Sequence, residues 1–248
     1  MIIYMYQLFY ILFSLICIII IFSKRPVIRT YKETDFLYTA LGDDISKSLI
    51  AFLCRGFVFR VKKHLSLTNP NVICNNFATP TFTSSDLLSQ LKNNSEIRQC
   101  LKKSKIITIS IGGNNLSEGV FENFTEINGK AAKNGVVKFK EDWHEILNFI
   151  RNHTESSASI YVMTLYNPYS SDDPNYSIAE YYISNLNLII KSEFWIKTYN
   201  YKVVDVHDYF KGNFQGNFLF LNTYVKEPLP NYKEYKQIGE SFISTMDS

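Results

Sequence analysis

Short apolar runs alternate with longer segments of helical periodicity from residue 36 to the end of the chain. The runs predict β-strands at Phe36–Leu41, Asn71–Cys74, Lys105–Ile111, Ser159–Leu165 and Tyr201–Val206. Apolar residues spaced three or four apart predict helices at Ile45–His64, Thr83–Leu91, Val136–His153, Ile178–Ile196 and Tyr235–Met246. Strands that alternate with helices are typical of a parallel sheet covered on both faces. We therefore expect an α/β fold, with a three-layer α/β/α flavodoxin-like domain over residues 36–248.

The first 23 residues have a different pattern. No side chain from Met1 to Ser23 is charged, and the run is long enough to cross roughly 30 Å of hydrocarbon as one helix. No basic segment opens the chain, and no small-x-small cleavage site precedes Lys24, which favours an uncleaved transmembrane anchor over a cleaved signal peptide. Residues 24–35 then form a short basic linker to the domain.

Composition excludes several functions. The net charge is +3 in 248 residues, and the charges are scattered, which argues against nucleic-acid binding. The four cysteines, Cys17, Cys54, Cys74 and Cys100, form no CxxC pair and have no metal-ligand spacing, so we interpret them as buried thiols.

Polar residues follow several of the predicted strands. Ligands of parallel α/β folds bind at the carboxyl ends of the strands, so these residues mark the expected crevice. The candidates are Asp43 and Asp44 after the first strand, Asn114 and Asn115 after the third, Asn167 after the fourth and His207 after the fifth. Oxygens of the first four could ligate a hard cation, but nothing in their spacing requires one. We predict neither a metal nor a cofactor.

Six blocks, in this order, resemble the SGNH/GDSL hydrolases, a family of lipases, esterases and acylhydrolases. The blocks are ALGDDIS (40–46), NNFATPTFTSSDLL (75–88), ISIGGNNL (109–116), TLYNPY (164–169), VVDVHDYF (203–210) and PLPNYKEYKQIGESF (228–242). The fourth and fifth resemble the later strands of membrane-anchored bacterial members. The resemblance covers most of residues 35–247 and implies the fold of that family, with a central parallel sheet of about five strands.

The resemblance also implies that the catalytic positions are substituted. Asp44 stands where the family has its serine nucleophile, and Thr81 stands where a glycine supplies an oxyanion N–H. Asn114 matches the asparagine that is a second oxyanion donor. Lys226 and Leu229 stand at the positions of the catalytic aspartate and histidine. All three triad positions therefore differ from the family pattern.

Two interpretations of these substitutions remain open. In the first, the Asp44 carboxylate caps a helix and accepts hydrogen bonds from the oxyanion donors in the ground state, which would stabilise the fold and block acyl transfer. The chain would then be a pseudoenzyme that binds a lipid, glycan or peptide. In the second, it is a divergent hydrolase of acyl esters of a lipid or an acylated glycan, with Ser46 and a relocated pair of His207 and Glu227.

The orientation of the predicted anchor is a further open question. Lys24, Arg25, Arg29 and Lys32 follow the apolar run and no charged residue precedes it, which under the positive-inside rule favours a cytoplasmic domain. The resemblance implies the opposite, an extracytoplasmic domain on a single-pass membrane protein.

Overall fold

Five parallel strands form the centre of the structure, a computed structural model that describes residues 31–48, 56–117, 127–211 and 230–248. The strands are β1 (Phe36–Gly42), β2 (Val72–Asn76), β3 (Ser104–Ser110), β4 (Ser159–Met163) and β5 (Tyr201–Val204). They lie in the order β2-β1-β3-β4-β5, and every neighbouring pair is parallel. The predicted five-stranded parallel sheet is confirmed.

Helices follow the strands along the chain. In the described residues they are α1 (Asp44–Lys47), α2 (Phe57–Leu65), α3 (Ser84–Asn93), α4 (Ser95–Lys103), α5 (Gly113–Ser117), α6 (Gly129–Asn152), α7 (Tyr176–Ile190), α8 (Glu193–Tyr199), α9 (His207–Phe210) and α10 (Tyr232–Asp247). Helix α3 begins with a capping box, in which the Thr83 and Asp86 side chains each bond the other's backbone N–H.

Helices cover the sheet on both faces, which gives the predicted three layers. Ile107 and Ile109 of β3 point to one face, where α3, α4, α6 and α7 bury their apolar residues. Ile106 and Tyr38 point to the other face, which α2 and α10 cover. Successive strand residues face opposite sides, so apolar residues on both sides of a strand produce the continuous runs seen in the sequence.

Two helices predicted as continuous are each interrupted. The segment 45–64 contains α1 and α2, because Ser48 adopts a left-handed conformation after α1 and extended Gly56 begins α2. The segment 178–196 contains α7 and α8, which begins after extended Ser192. Helix α4 was not predicted, because its only buried residues are Ile97, Cys100 and Leu101.

The described cysteines are free thiols protected by burial. Cys100 is fully buried, and Cys74 lies half-buried on β2. Burial raises the pKa of Cys74 to about 11, so its thiol is protonated and unreactive at neutral pH. Cys17 and Cys54 lie outside the described residues.

The predicted membrane anchor, residues 1–23, also lies outside the described part of the chain. Within the part described, no helix combines the length and the apolar character needed to span a bilayer. Residues Thr34–Ser248 form one compact unit.

A close backbone approach fixes the turn at the end of β1. Gly42 has φ of +122°, in the region that favours glycine, and a Cβ at this position would lie 1.8 Å from the carbonyl oxygen of Ser110 on β3. The next residue continues the contact, since Asp43 N donates to Ser110 O at 3.0 Å. Glycine at position 42 therefore allows the tips of β1 and β3 to meet.

We expect Gly42→Ala to lower the free energy of unfolding by roughly 2–4 kcal/mol, because the methyl group clashes with backbone and the left-handed conformation becomes strained. Urea denaturation followed by circular dichroism measures the change. The matched control is Gly113→Ala, where the added Cβ has no atom within 4 Å. Equal losses in the two variants would contradict this account of the turn.

Candidate functional site

The carboxylate of Asp44 lies buried directly after β1, with only 2% of the residue exposed. Its Oδ2 accepts a hydrogen bond of 2.8 Å from the backbone N–H of Thr81. The same oxygen accepts a second bond, of 3.1 Å, from Nδ2 of Asn114. Both donors are residues that the resemblance placed in an oxyanion hole, and both are directed at one oxygen of residue 44.

Backbone hydrogen bonds bring the Thr81 donor to this position. The segment between β2 and α3 runs beside the end of β1, where Phe77 N donates to Ala40 O and Thr79 N donates to Gly42 O, both at 2.9 Å. Thr81 itself has φ of +65°, a left-handed conformation that is strained for a β-branched residue. The backbone therefore adopts at Thr81 a shape that suits the glycine expected at this position in the family.

Asn114 reaches Asp44 from the short helix α5, which follows β3. Its Nδ2 also donates to Phe82 O at 3.1 Å, so this one amide group joins two loops. The adjacent residue Asn115 faces a different partner. Its Oδ1 accepts from Ser84 N and its Nδ2 donates to Ser84 Oγ, each at 2.8 Å.

A buried network continues from Ser84 and explains the position of Asn115. Asp142 of α6 accepts hydrogen bonds from the hydroxyls of Ser84 and Ser85, at 2.8 and 2.6 Å, and pairs with Lys138. Asn115, proposed from sequence as a binding residue, thus has its amide engaged in holding the N-terminus of α3.

The helix cap comes from Asp43, and the sequence-based expectation that Asp44 would cap the helix is corrected. Oδ1 of Asp43 accepts from Ile45 N and from Ser110 Oγ, both at 3.2 Å. Asp44 is the first residue of α1. Its Oδ1 is buried and has no hydrogen-bond partner among the described residues.

His207 lies at the other end of the same sheet edge, after β5. Its Nε2 is 2.9 Å from Oε1 of Glu180 on α7, in an ion-pair contact when the ring is protonated. The contact lacks hydrogen-bond alignment. Its Nδ1 is 3.2 Å from Oδ1 of Asp208. The imidazole is 6% exposed and lies between two carboxylates.

Asn167 and Thr164 organise the backbone around His207. Asn167 Nδ2 donates to Tyr176 O and to Oε2 of Glu180, both at 3.1 Å, and its Oδ1 accepts from Tyr169 N. Thr164 Oγ1 accepts from His207 N and donates to Asp205. Burial opposes ionisation of Asp205, but hydrogen bonds and the charge of Lys191 outweigh it and lower the pKa of this carboxyl group.

His207 and Asp44 follow strands that are not neighbours in the sheet. Strands β3 and β4 lie between β1 and β5, and three steps of about 4.8 Å place the ends of β1 and β5 roughly 14 Å apart. A general base must lie within hydrogen-bond reach of its proton. Ser46 is fully buried in α1, and its Oγ has no hydrogen-bond partner among the described residues, so it is not bonded to His207. Lys226, Glu227 and Leu229 lie outside the described residues.

The two donors around Asp44 have the geometry of an oxyanion hole, and the carboxylate oxygen of Asp44 occupies the place of the oxyanion. Donors that stabilise a developing oxyanion lie 2.7–3.1 Å from it, which is the range of the two contacts to Asp44 Oδ2. A serine hydroxyl is absent at position 44. Across the described residues, no group of three His, Cys, Asp or Glu side chains could hold a metal ion.

Solved structures share this fold. A lipase, Lip_vut3 from a goat rumen metagenome, is 25% identical with a TM-score of 0.68, and the match covers 85% of this chain and 97% of the lipase. A member of the lipolytic G-D-S-L family from Veillonella parvula is 13% identical with a TM-score of 0.59, and the match covers 86% of this chain and 98% of the other. The domain therefore has the SGNH-hydrolase fold.

Comparison of amino-acid sequences finds a relative that is less similar than the lipase above. An uncharacterized protein of Bacillus subtilis, YpmR, is 22% identical over 190 residues, which are 76% of this chain and 73% of YpmR. No protein-family model matches the chain.

We expect Thr81→Gly to be neutral or to raise the free energy of unfolding by about 1 kcal/mol. Relief of the left-handed strain, about 1–3 kcal/mol, offsets the larger entropy of glycine in the unfolded chain. The control is Thr68→Gly, an exposed residue outside the left-handed region, which we expect to lose about 1 kcal/mol. Urea midpoints compare them, and equal destabilisation would contradict the strain at Thr81.

Proposed function

We propose that the chain is a membrane-anchored, SGNH-like domain that binds a ligand without hydrolysing it. It would act as a pseudoenzyme whose crevice serves for binding or scaffolding of a lipid, glycan or peptide. The observation that carries the proposal is the pair of hydrogen bonds from Thr81 N and Asn114 Nδ2 to one oxygen of Asp44.

The Asp44 carboxylate would compete with a substrate oxyanion for those two donors. Acyl transfer needs a hydroxyl that a base can deprotonate, and donors that stabilise negative charge only as it develops. A fixed carboxylate oxygen already accepts both N–H groups, so a substrate oxyanion would have to displace it. The carboxylate would also repel the developing negative charge.

The expected loss of activity is large. Removing one oxyanion donor typically lowers turnover by about 10²–10³, and removing triad members lowers it by about 10⁴–10⁶. Leucine at position 229 has no acid–base group in place of the histidine, and lysine at position 226 carries a positive charge where the aspartate would carry a negative one. These changes together support a binding role over ester hydrolysis.

The competing function is hydrolysis of acyl esters by a divergent site. It is favoured by the structural likeness to a lipase across 85% of this chain. It would require a nucleophile and a base other than the residues at the triad positions.

We expect the full chain to hydrolyse p-nitrophenyl acetate no faster than its Asp44→Ala variant. The variant Asp44→Ser/Lys226→Asp/Leu229→His restores the triad residue types, and we expect at least a roughly tenfold gain over the native chain. Absorbance of released nitrophenol measures the rate. A fluorophosphonate probe, which reacts with activated serines, tests by mass spectrometry whether position 44 is labelled in the restored variant.

A matched control places the serine one residue earlier, in Asp43→Ser/Lys226→Asp/Leu229→His. Serine can also cap a helix, so this variant keeps the cap at the turn while leaving Asp44 in place. It should be inactive. Turnover by the native chain that Asp44→Ala abolishes would show that the protein is a hydrolase and would refute the pseudoenzyme.

The anchor is a separate part of the proposal, with the domain outside the cytoplasm. Expressed in a bacterium, the full chain should remain in the membrane pellet after an alkaline carbonate wash, and a variant lacking residues 1–23 should become soluble. Protease added to spheroplasts should digest the domain. A full chain recovered in the soluble fraction would refute the anchor, and digestion only after lysis would place the domain in the cytoplasm.

A further inference from the structure

A groove of about 510 Å³ opens beside the segment that carries Thr81, on the outer side of α3. This volume lies in the range of small-molecule sites in proteins. The groove runs along α3 to the start of α4, and its walls include Phe82, Asp86, Ser89, Gln90, Asn93 and Asn94. It is distinct from the Asp44 carboxylate, but both adjoin the residues between β2 and α3.

The lining selects one class of ligand. It contains hydroxyl, amide and carboxylate groups, and no lysine, arginine or histidine, so an anionic ligand would find no positive charge there. Phe82 is the only apolar side chain in the lining, and an acyl chain therefore would find little apolar surface to bury. A neutral ligand with many hydroxyl groups matches these walls, because amides and hydroxyls both donate and accept hydrogen bonds.

Gln90 is held firmly in the wall of this groove. Its Nε2 donates to Phe77 O at 3.1 Å and to Thr79 Oγ1 at 3.3 Å, which fixes the orientation of the amide. Its Oε1 is buried, so a ligand in the groove does not reach it. The polar groups that a ligand can reach are those of the exposed residues Asp86, Ser89 and Asn93.

We propose that this groove is a saccharide-binding site, in which ligand hydroxyls bond the exposed side chains of Ser89 and Asn93 and the half-buried ring of Phe82 contacts a sugar face. The exposed carboxylate of Asp86 supplies a further acceptor along the wall. The site does not depend on whether the Asp44 centre hydrolyses esters, since none of its lining residues lies at a triad position.

A bound saccharide would contact the residues that organise the Asp44 centre. Gln90 joins the groove to Phe77 and Thr79, which bond the end of β1. Phe82 contributes its ring to the groove and its carbonyl oxygen to Asn114. The ligand would therefore stabilise the loop conformation that directs Thr81 N at Asp44.

The test is ligand-observed NMR on the full chain with three β-1,4-linked probes, xylotetraose, cellotetraose and chitotetraose. The full chain includes the predicted anchor, so it is kept in micelles of lauryldimethylamine oxide. Maltoside detergents are avoided because their sugar head groups would compete with the probes for the groove. We expect at least one probe to bind with a dissociation constant on the order of 1 mM or tighter. Phe82→Leu and Asn93→Ala should each raise the dissociation constant of that probe at least about fivefold, and the double variant should raise it further.

Asn185→Ala is the matched control, since it removes a partly exposed asparagine amide from α7, which does not line the groove. It should leave the affinity unchanged, and circular dichroism confirms that each variant is folded. The absence of binding for all three probes at about 10 mM with folded protein would overturn the proposal. Binding of equal strength in the groove variants and the native chain would also overturn it, because the saccharide would then bind elsewhere.

Discussion

Two hydrogen bonds to a single oxygen of Asp44 join the connections that follow three adjacent strands. Asp44 follows β1, Thr81 lies after β2, and Asn114 lies after β3, in a sheet whose order places β1 between the other two. Removing the acceptor would leave the Thr81 N–H without this partner, while Asn114 Nδ2 would keep only its bond to Phe82 O. An unpaired buried donor costs about 1–3 kcal/mol. The contact that defines the candidate site is therefore also part of what holds the edge of the sheet together.

The neighbouring networks support the same edge. Asn115 and Asp142 hold the start of α3, and Gln90 holds the segment between β2 and α3 from outside. The strained conformation of Thr81 persists because these contacts surround it. Strain at a functional site is usually balanced by interactions elsewhere. Here the balancing hydrogen bonds extend through Ser84 to Asp142 of α6, on one face of the sheet.

The sequence predicted the strands well, because strands buried on both faces appear as unbroken apolar runs. It missed the interruptions at Ser48 and Ser192, where apolar spacing continues across a change of backbone direction. The family resemblance supplied Asp44, Thr81 and Asn114 as one site. The partners of Asn115 and His207 were not predictable, since Ser84 and Glu180 lie on separate helices and resemble ordinary surface residues in the helical pattern.

The turn at Gly42 also constrains how this protein can change over evolutionary time. No side chain fits at Gly42, because the Ser110 carbonyl occupies that space. Selection for a folded chain consequently fixes the glycine, whatever the domain does. The residue two places later carries no such backbone requirement, so another side chain there would lose the two hydrogen bonds to Asp44 but would leave the turn intact. A lineage can thus exchange one chemistry for another at position 44 without rebuilding the scaffold that presents it.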